Sequence, residues 1–262
     1  MKKYYFVNTL ASCVMTAMTL MTPVSAFDKA ELKSEPIDLY VNESTIYTGD
    51  MLPENINEYL MGNGIEVSSD AQVSIEYCAT ENQTDISAVL LSVYDEIEDN
   101  GTRIAENTVS LTVLNEPMDV TAMRASLESW NASFPPADWD SRLSITAYAR
   151  RYVYSVNGYT CYRPQNCSAS CTYTAKPQYF EVSYICDGFT VDLNTGELGD
   201  EDVHVITVSK SSPTSGQNYV KTNAYTSGVG LYTFSGSPAV GEFMTFAYRY
   251  SGEDRREYTV HT

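Results

Sequence analysis

The chain has 262 residues, with 34 Asp and Glu against 16 Lys and Arg, for a formal net charge of −18. This length holds one large domain or two small ones with a sizeable core. So acidic a surface repels nucleic acid and anionic lipid, which removes both from the natural partners.

The N-terminus, MKKYYFVNTLASCVMTAMTLMTPVSA, has two lysines, an apolar run and a small-residue Val24-Ser25-Ala26 site. This is the layout of a secretory signal peptide over residues 1–26. Reading Leu10-Ala11-Ser12-Cys13 as a lipoprotein box would leave most of the apolar run after the modified cysteine, the wrong order. No later run is apolar for long enough to span a membrane as a helix. A secreted or surface-held protein with no integral membrane segment is expected.

Pro53–Gly64 (PENINEYLMGNG) predicts a short helix, with Pro in its first turn and Gly closing it. Val73-Ser74-Ile75-Glu76-Tyr77 alternates as a half-buried strand does. Ile86–Tyr94 is apolar on both faces and reads as a central strand. Asn100-Gly101 predicts a type I′ turn leading into Val109–Val113, which makes a long hairpin. Val120, Met123, Leu127 and Trp130 then recur at helical spacing, before SFPPADWD breaks the pattern. The chain therefore divides into a β-rich module over residues 27–116, a helical linker over 117–139 and a β-sandwich over 140–262.

In the C-terminal half, Leu143, Ile145, Ala147, Ala149 and Val153 share one strand face. Tyr148, Arg150, Tyr152 and Tyr154 share the other. Phe180, Val182, Tyr184 and Cys186 align, and a change of phase after Gly188 predicts a β-bulge at Asp187-Gly188. Further strands follow in VHVITVSK, NYVKTNAY and GLYTF. The chain closes on a hairpin of Met244, Phe246, Tyr248 and Tyr250 against Arg256, Tyr258 and Val260. The expected class is mainly β: an antiparallel sandwich, for which an Ig-like form is one option, with one short connecting helix.

Cys161, Cys167, Cys171 and Cys186 lie in a tyrosine-rich stretch without the CxxC pairs of zinc or thioredoxin-like sites. In an exported chain they predict two disulfides stapling a long connection from Asn157 to Lys176. The pairing is Cys161–Cys171 with Cys167–Cys186, or Cys161–Cys167 with Cys171–Cys186. Cys78, on the more polar face of its strand, is left over for self-association, as is the terminal edge strand. No metal or cofactor is expected.

Catalytic machinery is sparse. His204 sits between valines, His261 is next to the terminus, and neither a GxSxG elbow nor an HExxH helix is present. A glycosidase-like acid pair could come from Asp138 and Asp140, or from Asp95, Glu96, Glu98 and Asp99. DLNTGEL, at Asp192–Leu198, starts like a calcium loop but fails its pattern and reads as a hairpin turn. The remaining surface is Tyr148, Arg150, Tyr152, Tyr154, Tyr162 and Arg163, residue types that make binding hot spots. These residues point to a non-catalytic protein that binds an extracellular glycan or protein. The alternatives are a structural component of the cell surface and a small acid-pair glycoside hydrolase.

Overall fold

The computed structural model describes residues 37–38, 41–79, 85–119, 140–222, 228–232 and 241–261. Glu35–Thr262 forms one compact unit. The expected signal peptide, and residues 120–139 of the expected helical linker, lie outside the described residues.

The protein is mainly β. In chain order come β1 (Ile37–Asp38), β2 (Val41–Thr48), a 3-10 turn (Gly49–Met51) and α1 (Glu54–Gly62). Next are β3 (Gln72–Ala79), β4 (Asp85–Asp99), β5 (Thr102–Asp119), β6 (Ser141–Val156) and β7 (Tyr159–Tyr173). β8 (Tyr179–Asp192), β9 (Leu198–Ser211), β10 (Asn218–Thr222), β11 (Val229–Tyr232), β12 (Gly241–Arg249) and β13 (Arg256–His261) complete the set.

The strands form one continuous sheet in the order β1-β13-β12-β8-β11-β7-β6-β5-β4-β3-β2, with β9 on β8 and β10 on β7. Pairing is antiparallel apart from the two-residue β1, which runs parallel to β13 and lies on its outer side. β5 and β6, on either side of the expected linker, pair with each other from Arg103↔Val153 to Leu114↔Ser141. β11 bridges β7 and β8, so the sheet turns back over itself at that corner. The inward faces of β4 to β7 then meet those of β8, β12 and β13 in one apolar core.

Local chemistry sets these elements. Asn100 and Gly101 adopt φ of 52° and 77°, the left-handed pair that a two-residue hairpin turn needs. The same dipeptide recurs at Asn157-Gly158, with φ of 49° and 82°, and turns β6 into β7. α1 has Pro53 at its N-cap and buries Ile56 and Leu60, one helical turn apart. It ends with Gly64 at φ 75°, Ile65 N–H donating to Leu60 O and Gly64 N–H to Met61 O, a Schellman closure. α1 covers the outer face of β3 and β4 at Val73, Ile75, Val89, Leu91 and Val93. That second core is why β4 is apolar on both faces.

Four sequence expectations are corrected. First, Asn157–Lys176 is not a long connection. Its main part is β7, paired along its length to β6. Second, the five cysteines from Cys78 to Cys186 are free, buried thiols. Cys161, Cys167 and Cys171 lie on one extended strand, where four residues span roughly 13 Å. A disulfide needs Cα atoms about 4.4–6.8 Å apart, and each expected pairing scheme includes a pair within β7. Third, Cys78 is 1% exposed, because the side of β3 that looked polar turns toward the main core. No intermolecular link can form there without unfolding. Fourth, the irregularity in β8 falls between Phe189 and Val191, two residues beyond the predicted place, where pairing to β9 skips.

Candidate functional site

β6 is the central positioning element. Paired on both sides, it holds alternate side chains on opposite faces. Tyr148, Arg150, Tyr152 and Tyr154 are half-buried on the outward face, while Leu143, Ile145, Ala147, Ala149 and Val153 are buried in the core.

Neighbouring strands dress the outward row. Tyr148 Oη donates to Glu106 of β5 at 2.6 Å, and Arg150 Nε stands 3.6 Å from the same carboxylate. Burial, and then this bond to Glu106, raises the Tyr148 phenol above its ordinary value. Tyr152 packs edge-on to Tyr154 at 6.2 Å between centroids, and the Arg163 guanidinium lies 5.8 Å over the Tyr152 ring.

Not every predicted residue joins this face. β7 carries a bulge at Gln165: Asn166 opposes Arg150, and Pro164 opposes Arg151. The extra residue flips the phase of what precedes it. Arg163 opposes Tyr152 and points outward with it, whereas Tyr162 opposes Val153 and turns inward. Cys161 therefore falls on the opposite face from Cys167 and Cys171.

The inward side of the same bulge holds a polar cluster that sequence reasoning missed. Arg151, in phase with the aliphatic residues of β6, is 1% exposed. Its Nη2 lies 2.5 Å from Glu242 Oε2 on β12, and its Nη1 donates to Asn107 Oδ1 on β5. Glu242 Oε1 accepts from Tyr184 Oη at 2.7 Å and from the Cys186 thiol at 3.5 Å. The rings of Tyr94 and Tyr162 lie 5.4 and 5.2 Å from the guanidinium. Among the described residues, Arg151 Nε and Asn107 Nδ2 are buried without a partner. A signal was present: Arg151 and Glu242 each interrupt an apolar phase with opposite charge.

Burial works against the Arg151 cation, yet the facing Tyr184 and Glu242 hold it above its ordinary range. Burial pushes the Glu242 carboxyl up against the pull of Arg151, Tyr184 and Cys186. Burial, then Glu242, pushes the Cys186 thiol well up, so it stays protonated where a nucleophile would need a thiolate. The cluster is suited to joining β5, β6, β8 and β12 rather than to attacking a substrate.

Three of the other candidate acids are engaged locally. Asp95 accepts from Ser68 Oγ at 2.7 Å, Glu96 pairs with Arg103 at 2.6 Å, and Asp140 accepts from Asn115 Nδ2 at 3.1 Å. Asp138 lies outside the described residues. His204 is half-buried on β9 opposite Cys186. The turn after β8 is a hairpin turn: Asp192 Oδ1 accepts from the Asn194 and Thr195 amides, and Gly196 has φ 74°. No three His, Cys, Asp or Glu side chains gather around a metal-sized space among the described residues.

Set beside known proteins, the chain matches no family model, and no curated protein or solved structure is detectably similar to it.

Proposed function

We propose that the chain is an exported, non-catalytic binding protein that engages an extracellular glycan or protein through the outward face of β6 and β7. The observation that carries this reading is the row Tyr148, Arg150, Tyr152 and Tyr154, with Arg163 beside it, held half-exposed on strands paired on both sides. Such residues combine apolar area with a polar handle at small entropic cost, because the sheet has already ordered them. Ile104, opposite Tyr152 on β5 and 2% exposed, stands beside it on the same face of the sheet. Among the described residues no helix is long and apolar enough to cross a membrane, which says nothing of a β-barrel.

A glycan and extracellular-protein array, probed with the parent and with Tyr148→Ala/Arg150→Ala/Tyr152→Ala, tests the reading. The triple variant loses the parent's hits while keeping its urea midpoint within reach of the parent. Full-strength binding by a folded triple variant overturns it.

A second reading, an assembly component of the cell surface, draws on β9. This strand pairs with β8 and exposes Leu198, Val203 and Val205. Asp200, Glu201 and Asp202 on the same strand oppose edge-to-edge pairing between copies, as charged edges do. Light scattering across a concentration series separates the two, since a monomer throughout removes the assembly reading.

A further inference from the structure

We propose that the open edge of β9, along Leu198–Val203, takes an extended basic polypeptide segment as an added strand. The site is separate from the β6–β7 face and does not depend on it.

β9 is paired to β8 along one side, and no other strand pairs with it among the described residues. Its two ends differ. Ile206 and Val208 are buried in the core, and the Lys210 ammonium lies 5.6 Å over the Tyr219 ring of β10. From Leu198 to Val203 every residue is exposed. This end is nonetheless held in place: Leu198 stands opposite Val191, and Thr190 Oγ1 donates to Asp200 O at 3.1 Å. An ordered edge presents unpaired backbone N–H and C=O groups, on which a further strand can form its ladder.

Charge decides which segment fits. Asp200, Glu201 and Asp202 turn away a second copy of this chain, whose β9 carries the same acids and whose formal charge is −18. The same acids draw a cationic strand. Val203 and Val205, close by, are 43% and 48% exposed, and repulsion between copies does not account for them. They lie on one face of β9, and Asp202 lies on the other. A partner that alternates basic and apolar residues therefore sets its cations beside Asp202 while its apolar side chains cover Val203 and Val205, in a single register. On the valine face, burial and then the charge of Glu201 raise the Asp187 carboxyl of β8 above its ordinary value. A cation brought alongside relieves that repulsion.

The test uses a synthetic peptide of about six residues, the length of an average strand, alternating Lys and Val. Its controls are a Glu–Val peptide of the same pattern and a peptide with the same Lys and Val residues in two blocks. Fluorescence anisotropy reads binding to the purified protein, and hydrogen exchange reads the β9 amides. The alternating Lys–Val peptide binds, slows exchange from Gly199 to Val203, and weakens in about 1 M salt, which screens exposed charges. The Glu–Val peptide does not bind. Asp200→Lys/Glu201→Lys/Asp202→Lys weakens the Lys–Val peptide about tenfold and admits the Glu–Val peptide, with its urea midpoint showing that it folds. Asp200→Asn/Glu201→Gln/Asp202→Asn keeps the shape of the edge, weakens the Lys–Val peptide by a smaller factor, and carries the test if the reversed chain does not fold. Lys–Val binding unchanged in the neutralised variant overturns the site. Equal binding by the block peptide, or no slowing of exchange on β9, shows charge attraction without a strand and overturns it too. So does binding of the Glu–Val peptide to the parent, or no Lys–Val binding at millimolar concentration.

Discussion

Arg151 Nη2 and Glu242 Oε2 meet 2.5 Å apart inside the core, tying β6 to β12 across the two facing parts of the sheet. A buried pair of this kind is strongly asymmetric in its energetics. Removing one partner strands a charge where water cannot reach it, at about 3–5 kcal/mol, whereas replacing both with apolar residues is often close to neutral. Arg151→Leu and Glu242→Leu therefore each lower the urea midpoint sharply, and the double variant regains most of the loss. Equilibrium urea unfolding checks this. Additive losses in the double variant would show that the two side chains act separately.

The thiols give a second prediction. Burial pushes the Cys167 thiol up to about 12 and the Cys171 thiol up to about 11, and burial followed by Glu76 takes Cys78 to about 12. Buried and protonated, these groups are inert to a thiol reagent in the native state. Dithionitrobenzoate under native conditions leaves Cys78, Cys161, Cys167, Cys171 and Cys186 unreacted, and in denaturant without reductant it titrates all five. Fewer thiols in denaturant would reveal a disulfide that this fold does not contain.

Glu76 supplies the pH prediction. Burial raises its carboxyl above the ordinary 4.5. A raised carboxyl binds its proton more tightly in the folded chain than in the unfolded one. Its contribution is therefore most favourable below 4.5 and is lost as pH rises through the folded value. Glu76→Gln removes the penalty of the ionised form, so it raises the urea midpoint at pH 7 and changes it little at pH 4. Equal shifts at the two pH values would place the effect elsewhere.

How much of this was legible in the sequence differs from element to element. Alternation located β3, β6, β12 and β13, and the double apolar face of Ile86–Tyr94 marked β4 as central, because period and burial are coupled along any one strand. The Asn157-Gly158 turn carried the same signal as Asn100-Gly101. It was obscured because three nearby cysteines, in a sequence read as exported, pointed to a stapled loop. The side to which Tyr162 and Cys161 turn depends on the bulge at Gln165, whose local signal is the adjacent Pro164, a residue that cannot donate to the ladder. The Arg151–Glu242 cluster joins strands far apart in the chain, so within the sequence each charge is only a lone break in an apolar phase. Their match becomes visible once β12 lies across β6.

Gly196 gives the last prediction, at the end of the molecule where two hairpins touch. Asn157, in the turn between β6 and β7, donates from Nδ2 to Thr195 O in the turn between β8 and β9 at 3.1 Å. Gly196 sits beside it at φ 74°, and a Cβ there would stand 2.2 Å from Asn157 Nδ2. Gly196→Ala therefore meets a strained backbone and a clash together, and destabilises by about 1–3 kcal/mol. Asn157→Ala relieves the clash but forfeits the bond and places a poor residue at a positive φ. The double variant Asn157→Ala/Gly196→Ala should therefore unfold at a higher urea concentration than the sum of the single losses implies. A double-mutant cycle reads that coupling directly, and strict additivity would mean that the two turns do not lean on each other.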